Sequence, residues 1–133
     1  AVKSSILPPS VLRSALYHTL VAPNAISDVD GSAPAAFGKT IRNATSTSTS
    51  RRRRVYYSTL STWDTFRTQA PWLTLFAPEV AADVAMTMVA YAAGPAQRLP
   101  KWLLFDKETD VMIAYHGVAI VADAVKKGLL AGG

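Results

Sequence analysis

Residues 109–128 read TDVMIAYHGVAIVADAVKKG, and the fold class turns on how this stretch folds. Val111, Met112, Ile113, Val118, Ile120 and Val121 spread apolar side chains nearly all the way round a helix. Thr109 offers an N-cap, and Lys126 and Lys127 complement the negative end just before Gly128. The pattern predicts a helix over 109–128. Its apolar centre, residues 111–122, is interrupted by His116 and falls well short of the roughly 20 residues that a membrane span needs. A helix apolar on so many sides is covered on most of them.

Upstream, PEVAADVAMTMVAYAAG, residues 78–94, gives the clearest helix. Pro78 suits a first helical turn, Glu79 favours the positive end, and Gly94 suits the position just past the C-terminus. Val80, Val84, Met88 and Tyr91 line one stripe. The turn-forming GPAQRLP separates this helix from the last one. Another helix is predicted over 62–76, interrupted by Pro71, and a first one over 10–22, with Ser10 as N-cap and Pro23-Asn24 ending it. Residues 27–55 read as an irregular insert, rich up to residue 50 in Ser, Thr, Asp, Gly and Pro. No strand alternation is convincing, so the expectation is an all-α chain of four helices without a sheet. Leu16, Phe66, Leu75, Val84, Met88, Ile113 and Ile120 are the predicted core. Four helices and a long loop offer little cover for the last helix, which points to a slice of a larger helical array.

At 133 residues the chain is one domain at most, or a piece of one, and 50% hydrophobic against 17% charged residues excludes a disordered segment. The net charge of +5 invites an acidic partner, but four of the fourteen basic residues form one run at 51–54. No aromatic residues interleave with that run, so a solvated insertion is the better reading and nucleic acid is not the expected partner. The absence of cysteine excludes disulfides and thiolate chemistry. The chain does not open on Met or on a signal-like pattern, and reads as a mature product or a fragment. Asp28-Val29-Asp30-Gly31 looks like the start of a calcium loop, yet the further acidic ligands are missing and a turn is expected. His18 and His116 lack companion ligands and read as packing or supporting histidines. Asn43-Ala44-Thr45 is a glycosylation acceptor sequence, meaningful only in a protein secreted by a eukaryote.

Three blocks carry a resemblance: ALYHTLVAPNAISDVDG, YYSTLSTWDTFRTQAPWLTLFAPE, and RLPKW followed by ETDVMIAYHGVAIVADAVKKG. They resemble, in order and over most of residues 15–128, consecutive blocks of glycoside hydrolase family 92. That resemblance implies a segment of an (α/α)6 barrel from a calcium-dependent, inverting, exo-acting α-mannosidase. It further implies a mannose-terminated glycan as substrate, calcium as cofactor, and a secreted or periplasmic location. In the Trp-Asp-Thr-Phe-Arg block it implies that Asp64 contacts the terminal mannose, with Trp63 as an apolar face for the ring. A carboxylate accepts strong, charge-assisted bonds from sugar hydroxyls. Read from the residues alone, Asp64 can equally cap a helix start or pair with Arg67.

Asp110 is a second substrate candidate by the same resemblance, and can also be the first-turn acid of the last helix. Here the chain departs from the family, with Lys107 where Asn is usual and Val111 where Cys is common. An inverting glycosidase needs an acid and a base carboxyl flanking the bond. None of the nine Asp and Glu residues matches the family's acid or base, which the resemblance places downstream with most calcium ligands. The segment is thus expected to supply barrel wall and part of a sugar pocket, with no catalytic and no metal residue of its own. The remainder of the catalytic domain, or a partner that completes the fold, would supply the chemistry. The other reading is a non-catalytic structural or interaction protein derived from this fold.

Overall fold

Helix α4, Pro78–Ala93, is the most deeply buried helix of the computed structural model, which describes residues 8–34, 54–113 and 115–130. Pro78 opens it and Glu79 sits in its first turn, as the sequence predicts. Its stripe is buried at Val84, Met88 and Tyr91, with Val80 packed partly buried against the core. Met88 is 1% exposed. The helix also buries two polar residues, Asp83 and Thr87. The Thr87 hydroxyl donates to the Asp83 carbonyl at 2.7 Å and accepts the Tyr57 amide at 3.1 Å, while Asp83 Oδ2 accepts the Val55 amide at 3.2 Å. These bonds fasten the extended chain at 55–58 to the helix. Gly94 ends α4 in extended backbone (φ −82°) and not in the left-handed form a C-terminal glycine usually supplies.

The described residues hold five helices and two small antiparallel sheets, so the expectation of a purely helical chain is corrected. Strand β1, Asn24–Ala25, pairs with β2, Tyr57–Ser58. Strand β3, Leu60–Ser61, pairs with β4, Trp102–Leu104, and β4 with β5, Lys107–Glu108. Each strand is two or three residues long, too short for alternation to register, and β1–β2 and β3–β4 join segments distant in sequence.

The helix predicted over 62–76 is two helices, α2 (Thr62–Thr65) and α3 (Gln69–Phe76). Pro71 lies in the first turn of α3, where it needs no amide, but its ring excludes a helical carbonyl at Arg67, four residues back. The break therefore falls before the proline, at Thr68 (φ −134°). Helix α1 runs Pro9–His18, shorter than 10–22; Pro9 opens it, and Ser10 lies within the helix and is not its cap.

Helix α5, His116–Lys126, begins seven residues later than the sequence pattern suggests. Asp110, Met112 and Tyr115 adopt left-handed backbone (φ 55°, 71° and 80°), which an α-helix cannot contain. Thr109 donates its hydroxyl to the Trp102 carbonyl and caps nothing. The far end matches expectation: Lys126 is in the last turn and Gly128 takes φ 72°. There the Leu129 amide reaches the Ala124 carbonyl and the Gly128 amide the Val125 carbonyl, closing a Schellman motif.

The core gathers Ala33, Tyr56, Leu60, Val84, Met88, Tyr91, Leu103 and Ile120, with Phe66 packed partly buried against it. Leu16, Leu75 and Ile113 are instead exposed, at 43%, 74% and 73%. Helix α1 buries no residue at all. Periodicity marks a stripe, but a stripe is buried only where another element lies against it. His18 is likewise exposed, not packed in a core, while the ring of His116 stacks on Phe66 with centroids 4.5 Å apart. Residues 28–32 form the expected turn, with Gly31 donating to the Asp28 carbonyl and Ser32 to Asp30 Oδ1. Most of the insert expected at 27–55, the Asn43 acceptor sequence and all but the last residue of the arginine run lie outside the described residues. No described helix is long and apolar enough to cross a membrane.

Candidate functional site

The three candidate residues sit on two neighbouring elements, the first turn of α2 and the end of the β4–β5 hairpin. Register places Ser61 opposite Trp102, and both the amide and the hydroxyl of Thr62 donate to the Lys101 carbonyl, at 3.1 and 2.8 Å. These bonds fix where Trp63 and Asp64 emerge. Asp64 is exposed in that first turn, where its negative charge suits the positive helix end, and the Ser61 hydroxyl donates to Oδ2. A local pairing at the helix start is therefore present. Arg67 takes no part in it. Its guanidinium lies 4.9 Å from the centroid of the half-buried Trp63 ring and 5.1 Å from that of Phe66, a cation–π arrangement.

Asp110 is not a first-turn acid, because α5 starts only at His116. Its carboxylate is held by Arg98, whose Nη2 lies 2.7 and 2.9 Å from the two oxygens, and by Lys101 Nζ at 3.2 Å. Arg98 above all, then Lys101, keeps the Asp110 carboxyl below its ordinary pKa, and Asp110 in turn raises that of Arg98. The left-handed backbone at this position suits Asp better than most residues. Tyr91, beneath the hairpin, has its phenol pKa raised by burial first and by the negative charge of Glu108 second.

Glu108 lies in the third family block but carries no role in the sequence reading, yet it connects the two elements. Oε2 accepts the Lys101 amide at 2.6 Å, and Oε1 accepts the amides of Trp102 and Asp110, each at 3.0 Å. A glutamate whose partners are backbone amides leaves no trace in side-chain spacing. Gly117 also matters to the layout: a Cβ there would lie 3.2 Å from the Pro100 carbonyl oxygen, so glycine lets α5 approach the entry to β4.

Behind α2, Thr65, Gln69, Leu73, Met88 and Ile120 line a mostly apolar cleft of about 480 Å³, its open mouth included. Gln69 closes α1 onto α3 by donating to the carbonyls of Thr19 and Ala22, each at 2.7 Å. Among the described residues no three His, Cys, Asp or Glu side chains come together in a way that could hold a metal ion. A calcium site built on a cluster of three or more carboxylates is therefore not formed among the described residues.

The family model of the glycosyl hydrolase family 92 catalytic domain matches residues 8–132 of the chain. Two solved structures of the family GH92 alpha-mannosidase BT3965 from Bacteroides thetaiotaomicron, one of them in complex with mannoimidazole, are similar to it. Each is 30% identical over 87% of this chain, with a TM-score of 0.74. The chain spans 14% and 15% of the length of those two structures. No curated protein matches the chain.

Proposed function

Because the chain belongs to glycosyl hydrolase family 92, we propose that it is part of the catalytic domain of an exo-acting α-mannosidase and builds one wall of the pocket for the terminal mannose. The observation that carries this reading is the likeness, at 30% identity, to an α-mannosidase solved with mannoimidazole. The joined edge of α2 and the β4–β5 hairpin supports it, since it presents two exposed carboxylates, Asp64 next to Trp63 in α2 and Asp110 at the end of the hairpin. In this reading Asp64 accepts hydroxyl protons of the sugar, Trp63 lies against its apolar face, and Asp110 bounds the pocket. The wall belongs to an (α/α)6 barrel. Hydrolysis inverts the anomeric centre, and its acid and base carboxyls come from outside these residues. Calcium assistance likewise requires ligands from elsewhere in the domain, and such an enzyme works as a secreted or periplasmic protein on mannose-terminated glycans.

The test is hydrolysis of an aryl α-mannoside by the full-length protein that carries this chain, with and without calcium, following the anomer released. Asp64→Asn keeps the shape but removes the charge from the acceptor. It should lower kcat/KM by about 1.5–3 kcal/mol, roughly ten- to a hundredfold. Unchanged kinetics would leave Asp64 with its Ser61 pairing alone. The 133 residues by themselves should give no turnover, and turnover abolished by mutating one of their own carboxylates would overturn the assignment of acid and base elsewhere.

A further inference from the structure

The bonds around Glu108 run from one candidate segment to the other. Its carboxylate accepts the amides of Lys101 and Trp102 on one side and that of Asp110 on the other. The carbonyl of the same Lys101 receives both donors of Thr62, the residue before Trp63, and its Nζ meets the Asp110 carboxylate. A single carboxylate thus ties the strand that anchors the first turn of α2 to the backbone that carries Asp110. Ladder pairing of β5 ends at Glu108, so beyond it the side chain continues the work of the sheet, with Thr109 donating twice to the Trp102 carbonyl.

We propose that Glu108 is the positioning residue of this edge, setting Trp63-Asp64 and Asp110 at a fixed separation so that both meet one sugar. The proposal rests on the mannose-binding reading above. A carboxylate suits the task because it offers two acceptor oxygens and no donor to three converging amides. Glutamine would turn its own NH2 group toward at least one of those amides, donor against donor. Neither oxygen of Glu108 needs to touch the substrate.

The experiment compares Glu108→Gln and Glu108→Asp with wild type in the full-length protein, by aryl α-mannoside kinetics and by amide hydrogen exchange without substrate. Glu108→Gln should raise KM by roughly tenfold, because loosened supports misplace the sugar contacts. The value of kcat should change far less, since acid and base lie elsewhere. Exchange at Lys101, Trp102 and Asp110 should quicken, and Glu108→Asp should restore part of both properties. If the Gln variant does not fold, the Asp variant carries the same comparison, with smaller changes in the same direction. Faster exchange with unchanged KM would make Glu108 a brace without a role in binding and overturn the proposal, as would unchanged exchange. Wild-type protein without mannosidase activity would overturn the underlying reading and the proposal with it. That outcome is distinguishable because exchange at the three amides is measured independently of turnover.

Discussion

Helix α4 and residues 109–113 are both rich in apolar side chains, yet one is a deeply buried helix and the other an exposed, irregular run. The difference lies in what competes for the backbone. Nothing in α4 draws its amides away from the helix, and its polar residues face an extended segment that needs their hydrogen bonds. At 108–110 a glutamate and a threonine bind the backbone of β4 instead, and Arg98 with Lys101 holds Asp110 aside. Apolar periodicity predicts a helix only where no stronger local partner claims the same residues.

Core truncation should break or sharpen the comparison most. Met88→Ala removes a side chain that is 1% exposed, and should cost about 2–5 kcal/mol in thermal unfolding of the full-length protein. Ile113→Ala removes one that is 73% exposed and should cost roughly 0.5 kcal/mol or less. An Ile113→Ala loss as large as that at Met88 would show that this segment is covered in the protein, and the contrast between the two regions would vanish.

A smaller effect tests the polar side of α4. Thr87→Val keeps the volume but takes from the half-buried Tyr57 amide the acceptor that the buried Thr87 supplies. The expected loss is about 1–3 kcal/mol. No measurable change would mean that the segment at 55–58 stays in place without that bond.

What could be read in the sequence divides along the same line. The position of α4, its buried stripe, and the closure of α5 by Gly128 were legible because caps and periodicity are local signals. The split between α2 and α3 was half legible: Pro71 announces a break, but the clash it causes acts four residues earlier. The strands were not legible, since two or three residues carry no pattern and β1–β2 and β3–β4 pair across long stretches of chain. Of the site, Trp63, Asp64 and Asp110 came from their place in family blocks. Glu108 lies in the same block as Asp110, but its role stayed hidden because the groups it holds are amides that every residue possesses.

The smallest effect concerns pH at the hairpin. Asp110 has its carboxyl pKa held below the ordinary 3.8 by Arg98 and Lys101, so in the folded protein it stays ionised to lower pH than in the unfolded chain. The sign follows from linkage: a depressed folded pKa adds stability that is fully present above the unfolded value and is lost as pH falls through the folded one. The pair with Arg98 should therefore be insensitive to pH throughout the neutral range and should loosen only below the usual carboxylate region. Because the two side chains are 55% and 45% exposed, solvent and salt screen the contact and the effect on unfolding should be slight. Titration of the Asp110 carboxyl by NMR should give a midpoint below 3.8 that climbs toward it in Arg98→Ala and in high salt. A wild-type midpoint at or above that value would mean that Arg98 does not hold the carboxylate, leaving the left-handed turn at Asp110 to the Glu108 bonds alone.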